Sequence, residues 1–141
     1  MIYITSDHGG FDLKKYLTEN IPEITDLGPN KLDPEDDYPD FIPPLAEKVL
    51  ENKENKGIVL FRNGVGVSMA INKYKGIRAT LSWNEKHAMS SRNDDNTNVL
   101  ALPSDYVSKE GALEIVKKWL STPFSEEDRH VRRVAKVNNL I

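Results

Sequence analysis

Apolar residues gather in five short runs along the chain, at residues 2–5, 23–27, 57–61, 77–81 and 98–102, each bounded by Gly, Pro, Asn or Asp. The runs are mostly apolar rather than alternating, the pattern of strands buried on both faces. Between them lie longer stretches at 12–19, 41–52, 67–73, 85–92 and 109–120 that predict helices. In the last, Ala112, Leu113, Val116, Trp119 and Leu120 recur at helical spacing, and Ser108 suits the N-terminal boundary. A polar, charged stretch at 125–136 predicts one more helix reaching away from the sheet. Strands alternating with helices predict right-handed βαβ units. The expected fold is Rossmann-like: three layers, α/β/α, with a five-stranded parallel sheet and an extra C-terminal helix. Ligands of such sheets bind at the carboxyl ends of the strands, near a switch in strand order.

Length and composition narrow this picture. The 141 residues suit one domain spanning 1–141, and 38% hydrophobic with 29% charged residues predict a folded chain. A net charge of −3 gives no electrostatic reason to expect nucleic acid or an anionic membrane as partner. No apolar run approaches the roughly 18 residues a membrane span needs, and no signal segment opens the chain, so the expected location is cytoplasmic. The absence of cysteine excludes disulfides, thiolate metal sites and thiol catalysis.

Four loops carry candidate chemistry. After the first strand, Asp7 and His8 precede Gly9 and Gly10. The plain reading is a helix cap with an exposed histidine, but two glycines permit a ligand's close approach, and His8 suits a ring oxygen or a phosphate. After the third strand come Arg62, Asn63, Gly64, Val65 and Gly66. Glycines flanking one residue let successive N–H groups form an anion nest, although the same pattern serves ordinary strand-to-helix turns. Before the fifth strand, Asp94 and Asp95 lie in a polar cluster that reads as a solvated turn or as an acid/base pair. Finally, Arg129 and Arg133 are four apart and share a helix face, the spacing of a phosphate clamp or of a basic surface.

Together these segments resemble the type B ribose-5-phosphate isomerase and galactose-6-phosphate isomerase family. The likeness rests on Ser6 to Phe11, Asp37-Tyr38-Pro39-Asp40, Gly64-Val65-Gly66 with Ser68 and Ala70, Asn72-Lys73, Gly76 to Ala79, Asn98-Val99-Leu100, Phe124, Arg129-His130 and Arg132-Arg133-Val134. The resemblance implies an aldose–ketose isomerase of sugar phosphates that needs no metal or cofactor. It implies a homodimer or tetramer with active sites shared between subunits. Asp7, His8 and Tyr38 would contact the sugar, Gly64 to Gly66 the enediolate, and Arg129 and Arg133 the phosphate.

The chain departs from the family pattern where the base should stand. By alignment, Phe61 takes the place of the usual cysteine and Val67 that of an alternative glutamate, while Arg62 replaces a glycine. Asp94 and Asp95 take the places of a His-Asn pair, and Asp105 that of an arginine. Two readings follow. One is an active isomerase acting on a ribose 5-phosphate/ribulose 5-phosphate type of substrate, with its base relocated to Asp94 or Asp95 and His8 assisting. The other is a divergent member that binds a phosphorylated sugar or sugar acid, as a subunit beside an active partner, with Arg62 holding a static anion.

Overall fold

The computed structural model describes residues 1–140. Five strands, β1 (Ile2–Ser6), β2 (Ile24–Asp26), β3 (Lys56–Phe61), β4 (Ala79–Leu81) and β5 (Val99–Pro103), form one sheet in the order β2-β1-β3-β5-β4. Every pairing is parallel. The helices are α1 (Phe11–Asn20), α2 (Ile42–Leu50), α3 (Val65–Ile71), α4 (Glu85–Asp95), α5 (Lys109–Ser121) and α6 (Asp128–Asn138). This is the three-layer α/β/α fold expected, with its extra C-terminal helix.

Side-chain alternation builds two cores. Ile4, Ile58, Leu60, Leu100 and Leu102 face a layer made by α1, α4 and α5, including the fully buried Leu17 and Trp119. Tyr3, Val59, Phe61, Val99 and Ala101 face α2 and α3. Burial on both faces explains why the strands read as continuous apolar runs. Trp119 joins its core to a buried polar spot, since its Nε1–H donates to Thr97 Oγ1 at 3.0 Å, 3.0 Å in turn from Ser91 Oγ.

Chain order reverses between β1 and β3: β2 lies to one side of this pair, β5 and β4 to the other. The switch point therefore falls between the loops after β1 and β3, where two of the candidate motifs reside.

Two expectations change. The cluster before β5 is not a turn, because α4 continues through Asp94 and Asp95 and ends only at Asn96, in the left-handed region at φ 50°. Arg92 drives this. Nearly buried, it donates to Asn96 Oδ1, Thr97 O and Thr122 O, tying the residues just past α4 and the C-cap of α5 to the helix. Nor does the last helix reach away: α6 folds back beside α4, burying His130 and Val134, and Asn138 Oδ1 accepts from Arg78 at 3.2 Å.

Candidate active site

β1 delivers Asp7 to the sheet's carboxyl edge, where its buried carboxylate accepts from the N–H groups of Gly9 (2.8 Å) and Gly10 (3.3 Å). This cap turns the chain through a short 3-10 turn into α1. A side chain at Gly10 is impossible, since its Cβ would lie 2.2 Å from Leu60 O. The loop therefore sits flush on β3. Burial is the main cause pushing the Asp7 carboxyl above its ordinary value; the Gly9 N–H opposes it.

His8 meets a carboxylate absent from the four motifs. Its Nδ1 lies 2.6 Å from Asp36 Oδ1, and its backbone N–H donates to the same oxygen at 3.2 Å. Asp36 is held by a loop fastened at its root to the sheet edge. Thr5 Oγ1 donates to Gly28 O at 2.9 Å, and the buried Lys14 ammonium donates to Pro29 O at 2.6 Å while pairing with Asp26. The Asp36 hydrogen bond is the main cause holding the His8 imidazole above its ordinary pKa. No sequence spacing pointed to Asp36, 28 residues away. Its one signal was position, next to Asp37 in the Asp-Tyr-Pro segment.

Across the cleft, Gly64 adopts φ +74°, a left-handed turn that opens α3. Asn63 Oδ1 takes the Val65 N–H at 3.0 Å, leaving the N–H groups of Gly66 and Val67 as the free donors of the first turn. Tyr38 reaches the same place: a Cβ on Gly66 would lie 2.5 Å from its Oη. Its ring stands edge-on to Phe61, centroids 5.8 Å apart. Arg62 crosses toward the first loop, its Cγ packed over Gly9, and its exposed guanidinium lies 3.8 Å from Asp105. The loop after β5 is tied to it through the Asp105 N–H, which donates to Arg62 O at 2.9 Å.

Asp7, His8, Tyr38, Arg62, Asn63, Gly64, Val65 and Gly66 are thus brought together. Phe61 (4% exposed) and Val67 (1%) belong to the core and present no proton acceptor. Asp94, Asp95, Arg129 and Arg133 are not brought to this cleft. α4 runs back from the carboxyl edge, so Asp94 and Asp95 stand at the amino edge, separated by the length of β5, about 16 Å at 3.3 Å per residue. There Asp94 approaches the buried His130 at 3.8 Å, and the exposed Arg129 and Arg133 share the outer face of α6. Asp95 is exposed and the Asp94 side chain is 48% so.

Asp7, His8 and Asp36 form a three-member group of potential cation ligands within 4.8 Å. The 2.6 Å contact inside it is a hydrogen bond, shorter than the roughly 3 Å that separates neighbouring donors around a cation with bonds near 2.1 Å.

The model of the Ribose/Galactose Isomerase family matches residues 2–137. The chain belongs to this family. A probable ribose-5-phosphate isomerase B of Mycoplasma genitalium is 44% identical, covering 96% of this chain and 92% of its own. The crystal structure of ribose-5-phosphate isomerase B from that organism, with bound ribulose-5-phosphate, superposes with TM-score 0.93 at 43% identity over 97% of this isomerase-family chain and 93% of that one. The Thermotoga maritima ribose 5-phosphate isomerase also gives TM-score 0.93, at 36% identity, covering 99% and 97%. Among the described residues, no helix of this family member is long and apolar enough to cross a membrane.

Proposed function

We propose that two copies of this chain together interconvert ribose 5-phosphate and ribulose 5-phosphate. The chain is a sugar-phosphate isomerase of the aldose–ketose type. The observation that carries the proposal is the split between its halves. The sugar-facing groups sit at the carboxyl edge of the sheet, while the cationic face of α6 and the α4 carboxylates sit at the amino edge. One chain cannot close this distance, whereas a second copy can lay its α4–α6 edge against the first copy's cleft. The helices beside the short edge strand β4 support such pairing, since they expose Met69, Met89, Val131 and Val137, with Leu140 exposed just past α6.

In the assembled site, Arg129 and Arg133 of the second copy hold the phosphate, charged forks matched to its oxygens. His8 donates a proton to the ring oxygen to open the sugar. Asp94 or Asp95 of the second copy then moves the proton between C2 and C1, where burial in the interface favours a carboxylate base. The free N–H groups of Gly66 and Val67 meet the enediolate oxygen. Ribose 5-phosphate incubated in deuterium oxide tests this directly. The wild-type chain is expected to wash out the C2 proton. Asp94→Asn and Asp95→Asn are to be compared with it: loss of at least about 100-fold in one supports a carboxylate base, and full activity in both overturns it.

The apolar, buried Phe61 and Val67 favour a second reading, a family member that binds a phosphorylated sugar or sugar acid without turning it over. Thermal stabilisation by ribose 5-phosphate with no exchange at C2 would be its signature.

A further inference from the structure

Among the described residues, two buried side-chain polar atoms lack any hydrogen-bond partner, and both adjoin the cleft: Ser6 Oγ, next to Asp7, and Asp36 Oδ2. Buried polar atoms are nearly always paired, and a carboxylate oxygen is among the costliest to leave bare. The Asp36 side chain is only 8% exposed, yet its other oxygen takes both hydrogen-bonding groups of a single residue, the backbone N–H and ring Nδ1 of His8. A loop latch needs only the backbone bond. The second bond fixes the ring as well, and leaves Nε2 as the nitrogen not engaged by the carboxylate.

We infer that Asp36 is the positioning residue of His8, locking the imidazole in one orientation and one tautomer so that Nε2 is the nitrogen offered to the sugar phosphate. The inference rests on the isomerase reading for its substrate, and on the geometry alone for the His8–Asp36 pair. Three charged groups act on the imidazole. Asp36 and Asp7 favour its protonated form, while Arg62 opposes it. The carboxylates outweigh the guanidinium, so His8 stays cationic to a higher pH than a free histidine.

The step this serves balances simply. Nε2–H gives its proton to the ring oxygen as the bond between that oxygen and C1 breaks. The C1 hydroxyl releases its proton to water as C1 becomes the carbonyl carbon, and the imidazole takes a proton back from water. Asp36 touches none of the reacting atoms; it stabilises the imidazolium and aims it.

Two measurements on the full-length chain test this. The first is nitrogen-detected NMR titration of the three histidines, with His8 assigned by His8→Asn. Wild type is expected to show a His8 midpoint above the ordinary 6.5 and, once neutral, the Nδ1–H tautomer. Asp36→Asn should lower the midpoint, and Asp36→Glu, which keeps the carboxylate, should recover part of the shift. A His8 midpoint identical in wild type and Asp36→Asn, or a neutral Nε2–H tautomer in wild type, overturns the inference. The wild-type tautomer is informative even where Asp36→Asn fails to fold.

The second pairs the kcat/KM pH profile for ribose 5-phosphate with solvent-deuterium exchange at C1 of ribulose 5-phosphate. Ribose 5-phosphate must open a ring, whereas ribulose 5-phosphate has none, its C5 hydroxyl being esterified. Asp36→Asn should move the alkaline limb to lower pH for ribose 5-phosphate and lower its kcat/KM by about tenfold, in keeping with a lost acid–base contribution. Exchange of the C1 proton of ribulose 5-phosphate with solvent deuterium needs no ring step and should fall less. An equal loss of that exchange together with an unmoved limb would mark a merely structural carboxylate and overturn the inference. If wild type turns over neither sugar, the isomerase reading fails alone, and the NMR titration still decides the role of Asp36.

Discussion

Two glycines of the cleft exclude a side chain for opposite reasons, and their substitutions should separate folding from function. A methyl at Gly10 would be driven into the β3 backbone at Leu60, with Cβ 2.2 Å from its carbonyl oxygen. Backbone cannot step aside, so Gly10→Ala is expected to cost at least about 2–3 kcal/mol, measured by urea denaturation. A methyl at Gly66 meets the far end of Tyr38, at 2.5 Å from Oη, and that side chain is 38% exposed and able to swing. Gly66→Ala should therefore cost little stability while displacing Tyr38 and crowding the free N–H groups, lowering kcat/KM by tenfold or more. Equal stability losses in the two variants would contradict this assignment. Arg62 belongs to the same scale. With Asp105 opposite it at 3.8 Å, its charge is shared at the cleft mouth rather than free, and screening makes that exposed pair weak.

The helices show how one buried cation sets the position of the amino-edge groups. Arg92 caps the end of α4 and also holds Thr122 O, beyond α5, so it joins the two helices that precede α6. Replacing it by Met would leave three carbonyl-type acceptors without their donor, and a loss of about 2–4 kcal/mol is expected in a denaturant titration. Because α4 ends there, the same variant should impair phosphate binding through α6; unchanged stability would contradict this role. The extension of α4 over Asp94 and Asp95 was not legible in a run of Asn and Asp, whose local preference is for turns. It follows from a contact between Arg92 and residues up to 30 positions away. The strands, by contrast, were legible nearly to the residue, because burial on both faces leaves a continuous apolar run. α6 was legible as a helix but not as one that folds back: only His130 and Val134 point inward, too few to mark an apolar face against so many charges.

At the scale of the molecule, the proposed site is two half-sites at opposite edges of one sheet, met across two copies. The motifs were readable because each is local: a strand end, a glycine pair, an i, i+4 arginine pair. Asp36 was not, since nothing local links an acidic loop to a histidine 28 residues before it. Stability should carry a mark of this pair. The imidazole's pKa is raised on folding, so its stabilisation is present in full below the unfolded value near 6.5 and fades as pH rises through the higher folded value. Asp7, pushed up by burial, acts in the same sense at lower pH, losing stability as it ionises. Urea midpoints should accordingly fall between pH 6 and pH 8, and fall less in Asp36→Asn; a flat profile in wild type would contradict the pairing. The division into half-sites is tested most directly by complementation. His8→Asn disables only the carboxyl-edge half, and Arg129→Ala with Arg133→Ala only the amino-edge half. Each variant alone should be nearly inactive on ribose 5-phosphate. Unfolded together and refolded as a one-to-one mixture, random dimers would be half mixed, each with one intact site of two, restoring about a quarter of wild-type activity. Mixed dimers seen by native mass spectrometry without any regained turnover would contradict a site built from two copies of this chain.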